Sequence, residues 1–309
     1  MVFGRLLLQH RVVSSTCCVA DKELTVLPSR RFLPCASLVA ATAAIVLVAA
    51  SARTVGAQAR LDARYTGSLA GVTLGKGAWV VDIGETQFTA AASGMTAGLL
   101  RVFSSGQGTG ASRGAINGNH FVPTSYSATI ITDNRTEEVR LTLNGGLVKD
   151  FAVTPPTPPH SKRIPLTDAD RRGVLDPMSA SLVRVPGNGE VLDPDSCRRH
   201  VAIFDGRMRY DLDLAFKRME NVKSEKGYAG PVLVCSINFT PIAGHIPDRT
   251  AIKYIAKLQD MEVWLAPVAG VRVLVPFRVQ IPTPLGLALL EATQFIVIPQ
   301  PTRASVKTQ

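Results

Sequence analysis

Charged side chains cluster around one predicted turn, and they are the residues of this sequence best suited to bind an anion. Asp205 lies in the turn, and Arg207 and Arg209 follow on the next strand. Guanidinium groups bind carboxylates and phosphates through charge-assisted hydrogen bonds, so Asp205, Arg207 and Arg209 are candidate ligand or anion contacts. The alternative is that these arginines pair with Asp211 and Asp213 along a solvent-exposed strand face.

The other reactive residue types do not define a catalytic site. We assign no Gly-x-Ser-x-Gly nucleophile turn, and the widely spaced histidines do not form a common zinc motif. The glycine-rich stretch 104–110 lacks the Lys-Ser or Lys-Thr of a phosphate-binding loop, and we interpret it as a flexible loop between strands. The sequence therefore assigns no catalytic residue, no metal site and no cofactor, and a non-enzymatic protein is the favoured interpretation.

Two cysteines, Cys197 and Cys235, follow residue 57. In an oxidising compartment an isolated pair of cysteines is most simply a disulfide. The pattern therefore predicts a Cys197–Cys235 disulfide, and the alternative is two buried free thiols.

The N-terminal segment has the order of an export signal. Arg30 and Arg31 precede an uncharged run from Phe32 to Ala52, and small residues lead to Ala57. This order predicts export from a bacterial cytoplasm, with cleavage near Ala57 and release into the periplasm. The alternative is an inner-membrane anchor formed by residues 32–52, with the body of the chain in the periplasm.

The composition indicates a packed domain and excludes a nucleic-acid partner. Hydrophobic residues make up 46% of the chain and charged residues 19%, which is typical of a globular core. The net charge is +10, but the basic residues after position 57 alternate with acidic ones. Nucleic-acid surfaces require clustered cations, so none is expected here.

Short alternating runs predict many antiparallel strands. Two hairpins are indicated, one turning at Asn144-Gly145 and one at Asp205-Gly206, the second with apolar residues alternating with charged ones from 207 to 214. Asp176 and Pro177 have the types of an N-cap and a first helical residue, and they predict a short helix over 177–185.

The predicted fold is mainly β, a strongly curved antiparallel sheet or partly open barrel with one or two short helices, preceded by the signal or anchor helix. Residues 58–300 form a single domain in this prediction, the proline-rich connector 154–165 crosses within it, and residues 301–309 are a flexible tail.

Small residues between positions 89 and 98 leave space inside such a sheet, either for a guest molecule or for the helix at 177–185. The candidate apolar wall of a pocket lies on a C-terminal strand and consists of Val273, Val275, Phe277 and Val279.

Several segments together resemble a known family. They are residues 174–180, the stretch Phe204–Leu212, residues 228–231 leading to Cys235, and Met261–Leu265. These segments resemble the bacterial envelope family catalogued as domain-of-unknown-function family 3108. The resemblance implies an exported β-rich protein, with a loose similarity to lipoprotein-carrier folds, and it implies no catalytic residue and no ligand.

Three classes of function follow from these observations. The first is a non-catalytic periplasmic protein that binds a lipid-like or amphipathic envelope molecule. The second is a structural or assembly factor with an envelope protein partner, and the third is an envelope hydrolase whose site is assembled from distant residues.

Overall fold

The computed structural model describes residues 58–98 and 105–299. These residues form one large, mainly antiparallel sheet with two short α-helices, α1 (Pro177–Ala180) and α2 (Thr250–Ile255). The strands are β1 (Ala59–Leu69), β2 (Val72–Ile83), β3 (Gln87–Thr96), β4 (Gly106–Asn117), β5 (His120–Thr132), β6 (Arg135–Asn144), β7 (Leu147–Thr154), β8 (Val183–Arg184), β9 (Arg199–Phe204), β10 (Arg209–Lys223), β11 (Lys226–Gly227), β12 (Ala229–Ala243), β13 (Met261–Pro267), β14 (Val273–Thr283) and β15 (Gly286–Pro299).

The sheet contains a long antiparallel meander, β1 to β7, joined to a second set of strands from the C-terminal part of the chain. The order of the main path is β7-β6-β5-β4-β3-β2-β1-β15-β14-β13-β12-β10-β9. The last strand pairs with the first, so that Ala63 lies opposite Phe295. Neither set of strands is separate from the other, and the described residues belong to one compact unit.

The sheet curls so that its two edge strands, β7 and β9, are separated by a single short segment of the chain. Between them lie residues 173–175, where the Val174 N–H donates to Gly146 O next to β7 and the Leu175 N–H donates to Ala202 O of β9. The Phe204 N–H returns a bond to Leu175 O. Residues 173–175 thus bond to the turn before β7 and to part of the β9 edge, and the predicted strongly curved antiparallel sheet is confirmed.

The β6–β7 turn lies one residue later than predicted. Asn144 is the last residue of β6 and pairs with Leu147. Gly145 and Gly146 form the turn, with φ of 57° and 79°. Because both central residues need positive φ, the second glycine and not Asn144 completes the turn.

The interpretation of residues 104–110 as a flexible loop is wrong for the part that the structure describes. Strand β4 begins at Gly106, and its Gly108 lies opposite Gly94 of β3. A β-carbon on Gly110 would lie 3.2 Å from Sδ of Met178. The glycines therefore allow neighbouring residues to approach the strand closely. In the sequence, a strand that contains such glycines has the same composition as a flexible loop.

Helix α1 begins as predicted and ends earlier. The Asp176 carboxylate accepts hydrogen bonds from the Met178 and Ser179 N–H groups, and Pro177 occupies the first turn. The helix ends at Ala180, and Val183–Arg184 forms strand β8 beside β14. The prediction of helix to residue 185 is wrong because the β-branched Val183 finds a strand partner there.

Strands β9 and β10 form the predicted hairpin around Asp205-Gly206, with Tyr210 opposite Ile203. The charged face is less exposed than predicted. Arg209 and Asp211 pair at 2.5 Å with side chains only 12% and 13% exposed. The part of this face at Arg209 and Asp211 is therefore largely covered, whereas the Asp213 side chain on the same face is 49% exposed.

The Cys197–Cys235 disulfide joins a 3-10 turn, Pro194–Cys197, to the middle of β12. Both cysteines are fully buried in a core that includes Leu233, Leu265 and Leu274. The predicted disulfide is confirmed.

The export segment 1–57 and the tail 301–309 lie outside the described residues. Within the described ranges, no helix has the length and apolar character needed to cross a bilayer.

Candidate functional site

The smaller of two apolar cavities lies against the second half of the sheet and has a volume of about 290 Å³. Its wall comes largely from strands β9, β10, β12, β13 and β14 because their apolar residues alternate with polar or outward-facing ones. On β10 the alternation brings Tyr210, Leu212 and Leu214 into the wall. The other lining residues are Pro177, Ala180, Ser181, Val183, Arg199, Val201, Ile203, Ile237, Phe239, Ile255, Met261, Val263, Leu265, Pro276, Val279 and Ile281.

The larger apolar cavity has a volume of about 580 Å³ and lies beside the small-residue strands. Gly75 and Gly77 of β2 and Ala92 and Gly94 of β3 line it, and their lack of bulk leaves the space open. Tyr65 lies in its wall and donates a hydrogen bond from its hydroxyl to Pro276 O at 2.6 Å. The small residues between positions 89 and 98 thus border free space as well as helix α1.

The two apolar cavities adjoin. Pro177, Ser181, Pro276 and Val279 line both of them. Helix α1 and strand β14 therefore form the shared boundary, and the position of α1 determines how the two spaces connect.

Buried hydrogen bonds of Asp176 hold helix α1 in place. One carboxylate oxygen accepts from the Met178 and Ser179 N–H groups, and the other accepts from the hydroxyls of Ser179, at 2.5 Å, and Ser112, at 3.0 Å. Ser112 belongs to β4, so Asp176 links helix α1 to the meander formed by β1 to β7. Burial raises the pKa of Asp176, and these hydrogen bonds lower it by a smaller amount.

Ser112 is also the centre of a motif that the sequence analysis did not assign. Gly110-Ala111-Ser112-Arg113-Gly114 has the Gly-x-Ser-x-Gly spacing of a hydrolase nucleophile turn. The structure places it in the middle of strand β4, where Ser112 is 3% exposed. Among the described residues its hydroxyl contacts Asp176 and Ser179 and no histidine, so the residue lacks the base that would activate it.

A third cavity, of about 900 Å³, has a larger polar share in its lining than the two apolar cavities and adjoins the smaller of them; we call it the polar cavity. It lies near the β4–β5 and β6–β7 turns, and Arg199 and Val201 line both cavities. Its charged and ionisable lining residues are His120, Arg184, Asp195, Arg198, Arg199 and His200. Basic groups outnumber the single carboxylate.

The predicted anion contacts are already bound within the chain. The Asp205 carboxylate accepts from the Arg207 and Met208 N–H groups at 2.7 Å, as a turn residue does. Arg207 donates to Thr157 Oγ1 and Pro155 O of the proline-rich connector, and Arg209 donates to Asp211. The structure brings the three residues together, but each has a partner in the fold and none lines the apolar cavities described above.

The predicted apolar wall is only partly at the cavities. Val279 lines both. Val273, Val275 and Phe277 are fully buried in the main hydrophobic core and line neither. A register change between Trp264 and Leu265, where β13 meets β14, alters which β14 residues face the cavity.

Sequence reasoning missed the wall of β9 and β10 and the arginines Arg184 and Arg199. A signal for Arg184 was present, since it interrupts the apolar run from Leu182 to Val185. No local signal identifies Arg199, because its position between two cavities depends on how the sheet curls.

No metal-binding group stands out in residues 58–98 and 105–299. These ranges contain no cluster of three or more His, Cys, Asp or Glu side chains placed to hold a metal ion.

Comparison with known proteins identifies a family and a similar structure. The beta-barrel-like protein of domain of unknown function DUF1849 from Brucella abortus is 8% identical, and its alignment covers 79% of this chain and 98% of that chain with a TM-score of 0.45. No curated protein matches. Residues 62–293 match the family described as "Protein of unknown function (DUF3108)", a match that spans most of the chain. The chain therefore belongs to the DUF3108 family.

Proposed function

We propose that this protein is exported and binds a lipid-like or amphipathic molecule of the cell envelope without transforming it chemically. The observation that carries the proposal is the pair of adjoining apolar cavities, of about 290 and 580 Å³, bounded by α1 and the sheet. Volumes of roughly 300–1,000 Å³ with largely apolar walls are typical of small-molecule binding sites. Aromatic residues form only 6% of the chain, which favours an aliphatic guest over a stacked sugar.

The energetics of an alkyl chain support a measurable affinity. Each buried methylene contributes about 0.8 kcal/mol, so a chain of about twelve carbons supplies several kcal/mol after the cost of immobilisation. The saturated hydrogen bonds of Asp176 and Ser112 favour a structural role for these buried groups over a catalytic one.

Binding of dodecanoate and its loss on filling the cavity test this proposal. Val279 lines both cavities, so Val279→Trp is expected to weaken dodecanoate binding at least tenfold by occupying the space. Val72→Trp is the matched control, since Val72 is 49% exposed, and it is expected to bind as the wild type does. Isothermal titration gives the affinities, and native mass spectrometry of protein from envelope extract detects a resident ligand.

Two results would contradict the lipid-binding proposal. One is a single unliganded mass together with no dodecanoate binding by the wild type. The other is equal affinity of the wild type and Val279→Trp, which would place the ligand elsewhere.

Export is the second part of the proposal. The uncharged run from Phe32 to Ala52 supports it, and so does the disulfide, because structural disulfides persist in oxidising compartments. A reporter that is active only in the periplasm, fused after residue 70, is expected to give signal. N-terminal sequencing distinguishes cleavage near Ala57 from retention of residues 32–52 as an anchor, and activity of a cytoplasm-only reporter at residue 70 would refute export.

An assembly factor acting through protein contacts is a second candidate, favoured by exposed apolar residues at one end of the sheet. The β1–β2 and β14–β15 turns touch there, since the Ala70 N–H donates to Leu287 O. Val72, Leu285 and Leu287 are 49%, 77% and 40% exposed. A specific crosslinked partner that is lost in Leu285→Asp would support this candidate over the first.

A further inference from the structure

Arg199 is a cation without a counter-ion at the junction of the polar and apolar cavities. It is half-buried on β9 and lines both spaces. Among the residues that the structure describes, no carboxylate lies within 4.0 Å of its guanidinium, and its side chain has no hydrogen-bond partner. Burial lowers the pKa of Arg199, as expected for a charge removed from water without compensation.

Arg184 repeats this arrangement in the same polar cavity. Its Nε atom is buried and has no hydrogen-bond partner, and the same holds for Oγ of Ser196 in the cavity lining. Burial, together with the charge of Arg272, lowers the pKa of Arg184. Arg184, Arg199 and Ser196 therefore present polar side-chain atoms to one cavity without a partner among the described residues.

Two neighbouring basic side chains of the same cavity do have carboxylate partners. Arg198 pairs with Asp195 at 3.3 Å, and His200 contacts Asp213 at 2.7 Å. Buried polar groups in folded proteins nearly always have partners, and a desolvated charge costs free energy unless it is paired. Unpaired arginines in a cavity that adjoins an apolar space are complementary to a molecule that carries an anionic group on an aliphatic chain.

We propose that Arg199 and Arg184 bind the anionic head of a single-chain amphiphile whose aliphatic tail occupies the apolar cavities. This inference rests on the proposed function and specifies the class of ligand. The protein then discriminates by charge, because a neutral amphiphile of equal length leaves both arginines unpaired.

Two probes of equal chain length, dodecanoate and dodecanol, separate the head from the tail. Hydrogen bonds to charged groups correspond to about a tenfold to hundredfold change in affinity, so the wild type is expected to bind dodecanoate more tightly than dodecanol by this factor. Arg199→Gln and Arg184→Gln are each expected to reduce the ratio of dodecanoate affinity to dodecanol affinity about tenfold or more, through loss of dodecanoate affinity. Arg140→Gln is the matched control, since the Arg140 side chain is 72% exposed.

Each outcome decides a different question. If neither probe binds the wild type, the proposed function itself fails. If both bind with equal affinity, the lipid-binding function stands and the charge selection is refuted. If inorganic phosphate binds and dodecanoate does not, the cavity is a small-anion site and the proposal is overturned.

The preference of the wild type for dodecanoate over dodecanol is also expected to depend on salt, and this test needs no variant. Because the arginines are only partly buried, the preference for dodecanoate is expected to shrink between 0.05 and 0.5 M salt, roughly a change in Debye length from 14 to 4 Å. A preference that is unchanged at high salt would contradict a contribution of the arginine charges to the selection. Equal loss of both probes in Arg199→Gln, with the preference retained in Arg184→Gln, would assign the arginines a structural role.

Discussion

Loss of the Cys197–Cys235 disulfide is expected to lower the free energy of unfolding by about 2–4 kcal/mol. The two cysteines are 38 residues apart, and for a loop of this size the chain-entropy model gives an upper value of about 4 kcal/mol at 25 °C. The loop contains the β9–β10 hairpin, so its closure restricts in the unfolded chain the same strands that carry the cavity wall. Urea unfolding of Cys197→Ala/Cys235→Ala against the oxidised wild type measures the loss.

A reductant separates the covalent bond from the packing of sulfur. Both cysteines are fully buried, so replacement by alanine also removes core volume. The wild type unfolded in reductant retains both sulfur atoms and is expected to show most of the same loss. Identical urea midpoints for oxidised and reduced wild type would refute the entropic contribution, and two alkylated thiols in the native oxidised protein would refute the bond.

The parts of the fold that the sequence predicts well are local. The Asp205-Gly206 hairpin follows from alternation in two adjacent strands and a turn whose backbone needs glycine, with Gly206 at φ 92°. The cap at Asp176 follows from a carboxylate placed before a proline, since the side chain reaches the next two free N–H groups. Such features depend on neighbours within a few residues.

The closure of the sheet is not local. Pairing of β1 with β15 joins residues more than 200 positions apart, such as Tyr65 and Ala292. The alternating pattern of each strand is the same for many possible partners, so the order of strands does not follow from it. The cavity wall depends on this order, which explains why Tyr210 and Leu212 were predicted as one apolar strand face and not as part of a binding site.

The candidate anion site shows a further limit. Sequence reasoning selected Arg207 and Arg209 because they are adjacent to a turn, and both have partners in the fold. Arg184 and Arg199, which have no partner among the described residues, are 15 positions apart in sequence and line one cavity. Charge spacing along the chain does not reveal whether a counter-ion arrives from another strand.

Replacement of Asp176 is the second change with a large expected effect. The Asp176 side chain is fully buried and accepts four hydrogen bonds, from two N–H groups of α1 and from the hydroxyls of Ser112 and Ser179. Loss of an N-cap costs about 1 kcal/mol, and buried donors left without an acceptor cost about 1–3 kcal/mol each. Asp176→Ala is therefore expected to reduce the free energy of unfolding by about 3–4 kcal/mol, measured by urea unfolding at pH 7.

Asp176→Asn separates the hydrogen bonds from the charge. The amide oxygen can accept from the same N–H groups, and its NH₂ group can donate to the serine hydroxyls, whose oxygens also accept. The asparagine variant is therefore expected to remain within about 1 kcal/mol of the wild type at pH 7, because asparagine caps helices as well as aspartate does. A loss equal to that of the alanine variant would show that the negative charge itself is required.

The difference in free energy of unfolding between Asp176→Asn and the wild type is expected to depend on pH, and its sign shows how the charge of Asp176 affects stability. Burial raises the pKa of Asp176 above its ordinary value of 3.8, so the folded state holds this proton more tightly than the unfolded state does. The contribution of Asp176 to stability is thus fully present below pH 3.8 and is lost as pH rises through the raised pKa. The pKa of Asp205 is shifted in the same direction, but Asp205 is present in both proteins and its contribution cancels in their comparison. The stability of Asp176→Asn relative to the wild type is therefore expected to increase from pH 3.8 upward, and a difference that is constant or falls over this range would contradict the raised pKa.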